Sequence, residues 1–124
     1  FSTAIMKNAN LQNIKISDTC MSFADLSGCD MSHSLLNKVN FKEAKLKNIN
    51  FNFARIIKGC FIKSNMENAN FNKCYAEEAD FCGSECKNAN FSNSDLTRAN
   101  FDMANITKAN FSSANMTGIN LNNA

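Results

Sequence analysis

Large apolar residues recur at every fifth position along the chain. Steps of five from Phe1 to Leu121 meet only Phe, Leu, Ile or Met, apart from Ala76 and Cys86, and no insertion or deletion interrupts the series. We call these positions centres. The residue two places before a centre is usually Ala, the residue directly before it is usually Asn or Asp, and the two that follow are mostly polar. Five residues turn a helix by about 500°, so the centres would drift by about 140° per step and form no helical face.

A five-residue unit with one large and one small inward position suits a short extended piece followed by a turn. Asn and Asp accept turn geometry and bond the nearby backbone through their side chains, which explains their abundance before the centres. Successive units then wind round an axis with the centres inside, and stacked coils can pair their backbones at the usual spacing between strands. The pattern predicts an all-β solenoid and disfavours both a helical bundle and Asn-rich disorder.

Phenylalanine sets the number of sides in each coil. From Phe41 to Phe111, Phe occupies every second centre, and this alternation requires an even number of sides. Two sides would enclose no core, so four sides, one repeat to a side, is the smallest solution. The sequence therefore predicts one domain over residues 1–124, a four-sided parallel β-helix of about six coils. Phe rings one coil apart should stack, because rings separated by about 5 Å gain from offset stacking as well as burial.

The repeating string A-N-F-x-x, seen for example in "ANFSNSDLTRANF", resembles the A(D/N)LXX unit of the pentapeptide-repeat proteins. The resemblance covers essentially the whole chain. It implies a right-handed, quadrilateral parallel β-helix, in agreement with the side count obtained from the Phe positions. It also implies a rigid, non-enzymatic rod of the kind found in bacterial effectors and cytosolic adaptors, where such rods are often appended to other domains.

Charge and cysteine usage give few clues to a partner or a compartment. The chain carries 13 basic and 11 acidic residues, a net charge of +2, so no strong field favours nucleic acid or a membrane. No apolar run approaches the length of a membrane span, and no segment resembles a signal peptide. The six cysteines include no CxxC pair, which favours reduced thiols and a reducing compartment, either a cytoplasm or, for a secreted effector, the host cytosol.

No catalytic or cofactor-binding constellation stands out. His33 is the only imidazole, and its place two residues after Met31 predicts an outward-facing surface residue rather than a general base. Coils of four repeats send Cys74, Cys82 and Cys86 to three different walls, which disfavours a metal site. The sequence also lacks a glycine-rich phosphate loop. We therefore predict a protein without enzymatic activity, cofactor or metal.

One part of the surface departs from the repeat, because apolar or cationic side chains replace polar ones at positions that should face outward. These residues form a candidate partner-binding patch: Leu35, Lys38, Phe53, Arg55, Ile57, Lys58, Ile62 and Tyr75. Leu35, Arg55 and Tyr75 hold the same Asn/Asp position in successive coils and should stack on one wall. Arg55 over Tyr75 could there make a cation–π contact.

A basic belt adjoins an acidic one around this patch. Residues 38–63 carry seven basic residues against Glu43 alone, and residues 64–85 carry five acidic residues against Lys73 alone. The patch is either a docking site rimmed by charge or a region of free drift in which the belts pair through weak surface salt bridges. By contrast, the wall that holds Phe51, Phe71 and Phe91 should be flat and lined by Asn and Ser.

These features favour a non-enzymatic scaffold that binds an unidentified protein. The alternative is a DNA mimic, because some pentapeptide-repeat proteins protect type II topoisomerases from quinolones by presenting a duplex-like negative rod; the positive net charge departs from that pattern. Direct nucleic-acid binding is disfavoured because the basic belt is short. The repeat reaches both ends without a capping helix, so we expect the rod to belong to a longer polypeptide or to stack end to end.

Overall fold

The chain winds into stacked laps in which each residue lies beside the residue 20 positions further on. In the computed structural model, which describes residues 1–124, parallel β-bridges join such pairs, for example Asn50↔Asn70 and Tyr75↔Asp95. Bridging positions recur at every fifth residue, so each lap has four short sides separated by turns. The predicted four-sided parallel β-helix, with four repeats to a lap, is confirmed.

Regular strands are confined to two short segments. Strand β1, Lys15–Ser17, pairs in parallel with strand β2, Leu35–Asn37, in the register Lys15↔Leu35, Ile16↔Leu36 and Ser17↔Asn37. Elsewhere each side contributes a single bridge. The structure contains no helix of the length and apolar character that a membrane crossing requires.

A tight turn follows almost every side. The N–H of the small residue two places before a centre donates to the carbonyl of the preceding centre, as Ala54 does to Phe51 at 2.9 Å. The third residue of each turn is left-handed, and φ at this position ranges from 49° at Asp18 to 71° at Gly28. Asn and Gly tolerate this conformation best, which explains why they recur two residues after the centres.

The Asn or Asp before each centre completes the backbone hydrogen bonding of its repeat. In residues 70–74, the N–H groups at positions 70, 71 and 73 donate to carbonyls of adjacent laps, and that of Cys74 donates to Phe71 within the turn. The remaining N–H, at Asn72, donates to Asn70 Oδ1 at 3.1 Å. All five N–H groups are therefore paired, as buried or packed backbone requires.

The interior is one continuous apolar cluster of 29 buried residues. Phe rings one lap apart form two stacks, with centroid distances of 4.4–5.1 Å. Rings from opposite walls also meet edge to face at 5.4–5.9 Å, for example Phe81 with Phe91. The predicted stacking is confirmed, and each ring gains edge contacts across the core in addition.

Four turns in the first two laps are open. The N–H groups of Ile14, Thr19, Ser34 and Val39 do not make the turn hydrogen bond that the equivalent residues make elsewhere. Three of these residues are β-branched and larger than the usual Ala, and such side chains are stiff, but Ile49 and Ile119 close the same turn, so branching alone does not open it. Two of the open corners, 16–19 and 36–39, follow strands β1 and β2, and the second adjoins the candidate patch.

Candidate functional site

The core of the candidate patch is a single column of side chains. Leu35 bridges to Arg55 and Arg55 bridges to Tyr75, so the three residues lie on one wall in successive laps. All three are exposed, with Leu35 at 44% and Tyr75 at 53%. We call this side of the rod, with the corners that flank it, the Arg55 wall.

Phe53 lies on the corner that leads into the Arg55 wall. Its ring stacks on His33 with centroids 5.0 Å apart, and Lys73 Nζ lies 5.1 Å from the ring centroid on the lap that follows. The predicted cation–π contact between Arg55 and Tyr75 is wrong, because the cation over an aromatic ring is Lys73. Phe53 and Lys73 occupy equivalent left-handed corner positions one lap apart, which brings the ammonium group to the ring.

The corner that leaves the Arg55 wall carries Ile57, Lys58 and, one lap earlier, Lys38. A shallow depression of about 320 Å³ lies here, lined by Leu35, Leu36, Asn37, Arg55 and Ile57. Its floor adjoins the open turn over residues 36–39. Ile62 lies one corner further round the lap, on the far side of the wall that holds Asn40 and Cys60. The other predicted patch residues lie on the Arg55 wall or its two corners, so Ile62 alone is separated from them.

Ion pairs connect the basic and acidic belts. Lys47 pairs with Glu67 at 2.7 Å and Lys58 with Glu78 at 3.3 Å, and Glu78 also pairs with Arg98 at 2.9 Å. The hydrogen bonds from Arg98 and then Lys58 hold the pKa of Glu78 below its ordinary value. The sequence left open that the two belts pair through surface salt bridges, and Lys47 and Lys58 do form such pairs.

Two cations of the patch stay outside this network. Neither Arg55 nor Lys38 forms an ion pair, and the side chains of both are exposed without a hydrogen-bond partner in the protein. Arg55 is the only cation among the residues that line the depression. The middle of the Arg55 wall thus combines exposed apolar side chains with uncompensated positive charge.

The cysteines are free thiols in contrasting surroundings. Burial raises the pKa of Cys86 to about 12, and it also raises the pKa of Cys74. Cys20 is exposed, and hydrogen bonds with Ser2 and Ser22 lower its pKa to about 7. Sequence reasoning missed this thiol because Ser2 reaches it from the preceding lap. No three His, Cys, Asp or Glu side chains are grouped so that they could hold a metal ion.

Sequence reasoning also missed a backbone feature of the Arg55 wall. Arg55 and Tyr75 lack the side-chain oxygen that pairs the N–H two residues on, and the N–H groups of Ile57 and Glu77 donate to no atom of the protein. The signal was present in the sequence, since both positions depart from Asn and Asp. It could be interpreted only once the hydrogen bonds of a regular repeat were known.

The repeat geometry and the site together define a class of protein. The family model described as pentapeptide repeats matches eight copies, over residues 1–32, 21–52, 34–72, 49–85 and 84–123. The chain belongs to the pentapeptide-repeat family. No curated protein matches its sequence significantly.

Three solved structures are similar to this chain, and one of them, with a TM-score above 0.5, shares its fold. A trypsin-treated form of QnrB1, a plasmid-mediated fluoroquinolone resistance protein, is 17% identical with a TM-score of 0.53, covering 94% of this chain and 72% of its own. Rfr23 from the cyanobacterium Cyanothece 51142 is 15% identical with a TM-score of 0.49, covering 89% and 85%. A pentapeptide repeat protein of the Arabidopsis thaliana thylakoid lumen is 29% identical with a TM-score of 0.41, covering 77% and 63%.

Proposed function

We propose that this protein is a non-enzymatic interaction module that docks a partner protein on its Arg55 wall. The observation that carries the proposal is the cluster of exposed Leu35, Phe53 and Tyr75 around the unpaired Arg55, beside a depression that an apolar side chain can enter. Exposed apolar groups rimmed by charge are typical of protein-binding surfaces. The six free thiols fit a reducing compartment such as a cytoplasm.

The rest of the rod supports a scaffold role. Backbone hydrogen bonds link every lap to its neighbours, so the wall is presented on a rigid frame and little conformational entropy is lost on binding. The side chains around the wall also offer recognition rather than reaction chemistry. The only imidazole, His33, stacks on the ring of Phe53.

A capture experiment tests the proposal. The tagged protein, its Arg55→Glu/Ile57→Asp variant and a matched Lys108→Glu/Met103→Asp variant would be exposed to extract of the source cells and cross-linked. The two variants make the same charge change, but the second alters exposed residues of a later lap. We expect partner capture by the wild type and the matched variant and loss from the Arg55 variant. Equal capture by all three would remove support for the Arg55 wall.

The surface gives less support to a DNA mimic that acts on DNA gyrase. Such a mimic needs a continuous negative face, whereas Arg55, Lys38 and Lys63 lie unpaired at the middle of this rod and several carboxylates are neutralised by ion pairs. The likeness to QnrB1 concerns the fold. In a supercoiling assay with a quinolone present, we expect micromolar protein to give the enzyme no protection.

A further inference from the structure

One N–H group on the Arg55 wall indicates the chemistry of the partner. In a regular repeat, the Asn or Asp before the centre accepts from the N–H two residues on. Asp95 shows this on the same wall, where its Oδ1 accepts from the N–H of Thr97 at 3.0 Å and from the Thr97 hydroxyl at 2.6 Å. Arg55 offers no such oxygen to the N–H of Ile57. That N–H is therefore a donor at the surface that a ligand oxygen can use.

Two cations without a counter-ion share this part of the wall with the Ile57 N–H. They are the Arg55 guanidinium and the Lys38 ammonium, whereas Lys58, which follows Ile57 directly, pairs with Glu78. The equivalent N–H one lap on, at Glu77, also lacks a protein acceptor, but the carboxylates of residues 77 and 78 flank it. The Ile57 N–H lies nearer to uncompensated positive charge than the Glu77 N–H does, because Glu77 and Glu78 are already paired with Arg98 and Lys58.

An apolar contact lies within reach of the same group. Ile57 and Leu35 line the depression together with Arg55, so the donor, the guanidinium and the apolar surface adjoin one another. An oxygen ligand at the N–H would bring its own neighbouring side chain over Leu35 and Ile57. A ligand of this kind carries a carboxylate and an aliphatic group a short distance apart.

We propose that the Arg55 wall binds an acidic segment of the partner protein. An Asp or Glu carboxylate of that segment accepts hydrogen bonds from the Ile57 N–H and the Arg55 guanidinium, and the first of these bonds repeats the one that Asp95 accepts within the chain. An adjacent aliphatic side chain of the segment packs in the depression. Charge-assisted hydrogen bonds to a carboxylate are the strongest polar contacts this surface can make. The inference rests on the proposed function and specifies the partner for the same wall.

Binding of defined probes tests the inference. The main probe is a fluorescein-labelled peptide of alternating Glu and Leu, and the comparison probes are the Gln/Leu peptide and a single-stranded oligothymidylate of equal charge. The key variant is Arg55→Asn, because the new amide side chain would supply its own oxygen to the Ile57 N–H and the guanidinium would be lost. The matched control is Lys108→Gln, which removes an unpaired lysine from a distant corner.

We expect the Glu/Leu peptide to bind the wild type and the Lys108 variant equally, with the largest amide shift at Ile57 in a 15N–1H correlation spectrum. The Arg55→Asn variant should bind about tenfold more weakly, the loss expected for a hydrogen bond to a charged group. Its melting temperature should be higher than that of the wild type, because the Ile57 N–H gains an acceptor within the chain. Weaker binding by this variant would then not be explained by unfolding.

Three results would overturn the inference: equal binding of the Glu/Leu and Gln/Leu peptides, undiminished binding by Arg55→Asn, or tighter binding of oligothymidylate. These results are distinguishable from failure of the proposed function. If Arg55→Glu/Ile57→Asp loses a captured partner that Arg55→Asn retains, the wall is a docking surface and the carboxylate is not its ligand.

Discussion

At the scale of single residues, the position before each centre organises the polar surface. On one wall the side-chain amides form a ladder in which Asn50 donates to Asp30 at 3.0 Å, Asn70 to Asn50 at 3.1 Å and Asn90 to Asn70 at 3.4 Å. Every amide of these ladders donates toward the preceding lap, so a carboxylate, which only accepts, fits at the start of a ladder. In every ladder that contains an acidic residue, that residue stands at the start and accepts the first amide hydrogen bond. These residues are Asp30, Asp80, Glu85 and Asp95.

Asp30 should give the fold a measurable dependence on pH. Burial opposes its ionisation, but hydrogen bonds from Ser32, Gln12 and Asn50 outweigh this and lower its pKa. A lowered carboxyl pKa adds stability that is complete above the unfolded value, about 3.9, and is lost as the pH falls through the folded value. We expect the free energy of unfolding of the wild type, relative to Asp30→Asn, to fall as the pH drops below about 4. A pH-independent difference in urea titrations would contradict this role.

The left-handed corner residues store some strain. Met103 has φ of 55° and its side chain is 60% exposed, so it gains little packing for adopting a conformation that Asn tolerates better. We expect Met103→Asn to raise the free energy of unfolding by about 0.5–1 kcal/mol. Ser112→Asn, at a corner position outside the left-handed set, is the control and should change little. Equal effects in denaturant titrations would show that the corner conformation is not the cause.

At the scale of the repeat, the small position two residues before a centre influences how tightly each corner closes. Every Ala at this position ends a closed turn, whereas β-branched residues occur in both kinds. Val39 ends an open turn, and Ile49 ends a closed one in which its N–H donates to the Leu46 carbonyl at 3.2 Å. Gly59 closes the corner of the Arg55 wall, and a Cβ added there would lie 2.7 Å from Ile56 Cγ2 and 3.1 Å from Phe61 Cε2. An Ala at this corner would therefore have to displace the fully buried Ile56, whereas Ala109 closes the same turn behind Ile106, which is only half-buried.

Gly59→Ala should accordingly destabilise the protein, although it restores the common residue. We expect a loss of about 1–3 kcal/mol from overpacking. Ile56→Leu removes the branch at Cβ and with it the contact to the new methyl group. Adding Gly59→Ala to the Ile56→Leu variant should therefore cost much less stability than adding it to the wild type. Additive effects of the two substitutions in a double-mutant cycle would refute the steric explanation.

The sequence was sufficient for features set by periodicity and insufficient for those that depend on hydrogen-bond geometry. The centres, the lap of four repeats and the stacking of Phe61 on Phe81 could all be predicted, because side chains one lap apart share an environment. The open turns could not be predicted, because the same residue type at the small position occurs in open and in closed turns. Ser34 ends an open turn and Ser64 ends a closed one. Spacing puts Lys73 beside Phe53 just as it puts Arg55 beside Tyr75, so choosing between the two cation–π pairs required the side-chain conformations.

At the scale of the whole molecule, the two terminal laps differ from the interior. Phe1 is 71% exposed and Leu121 39% exposed, although both are centres, while the Phe centres from Phe41 to Phe101 are fully buried. The first lap also presents N–H groups with no lap beside them, such as that of Asn10. Exposed edges and apolar ends of this kind favour pairing with another chain.

A polypeptide of residues 1–124 alone should therefore self-associate end to end. We expect its mass in multi-angle light scattering to rise with concentration. Asn10→Pro, which removes an edge N–H that pairs with nothing in the chain, should weaken the association. A constant monomer mass up to millimolar concentration would rule out stacking of this chain.

Residues 20 apart lie side by side, and only this neighbourhood brings Leu35, Arg55 and Tyr75 onto one wall. A 15N-edited NOESY spectrum detects such neighbours. We expect backbone cross-peaks between Arg55 and both Leu35 and Tyr75, repeated for pairs at the same separation along the rod. Cross-peaks that join Arg55 to residues at another constant separation would contradict both the lap and the docking wall built on it.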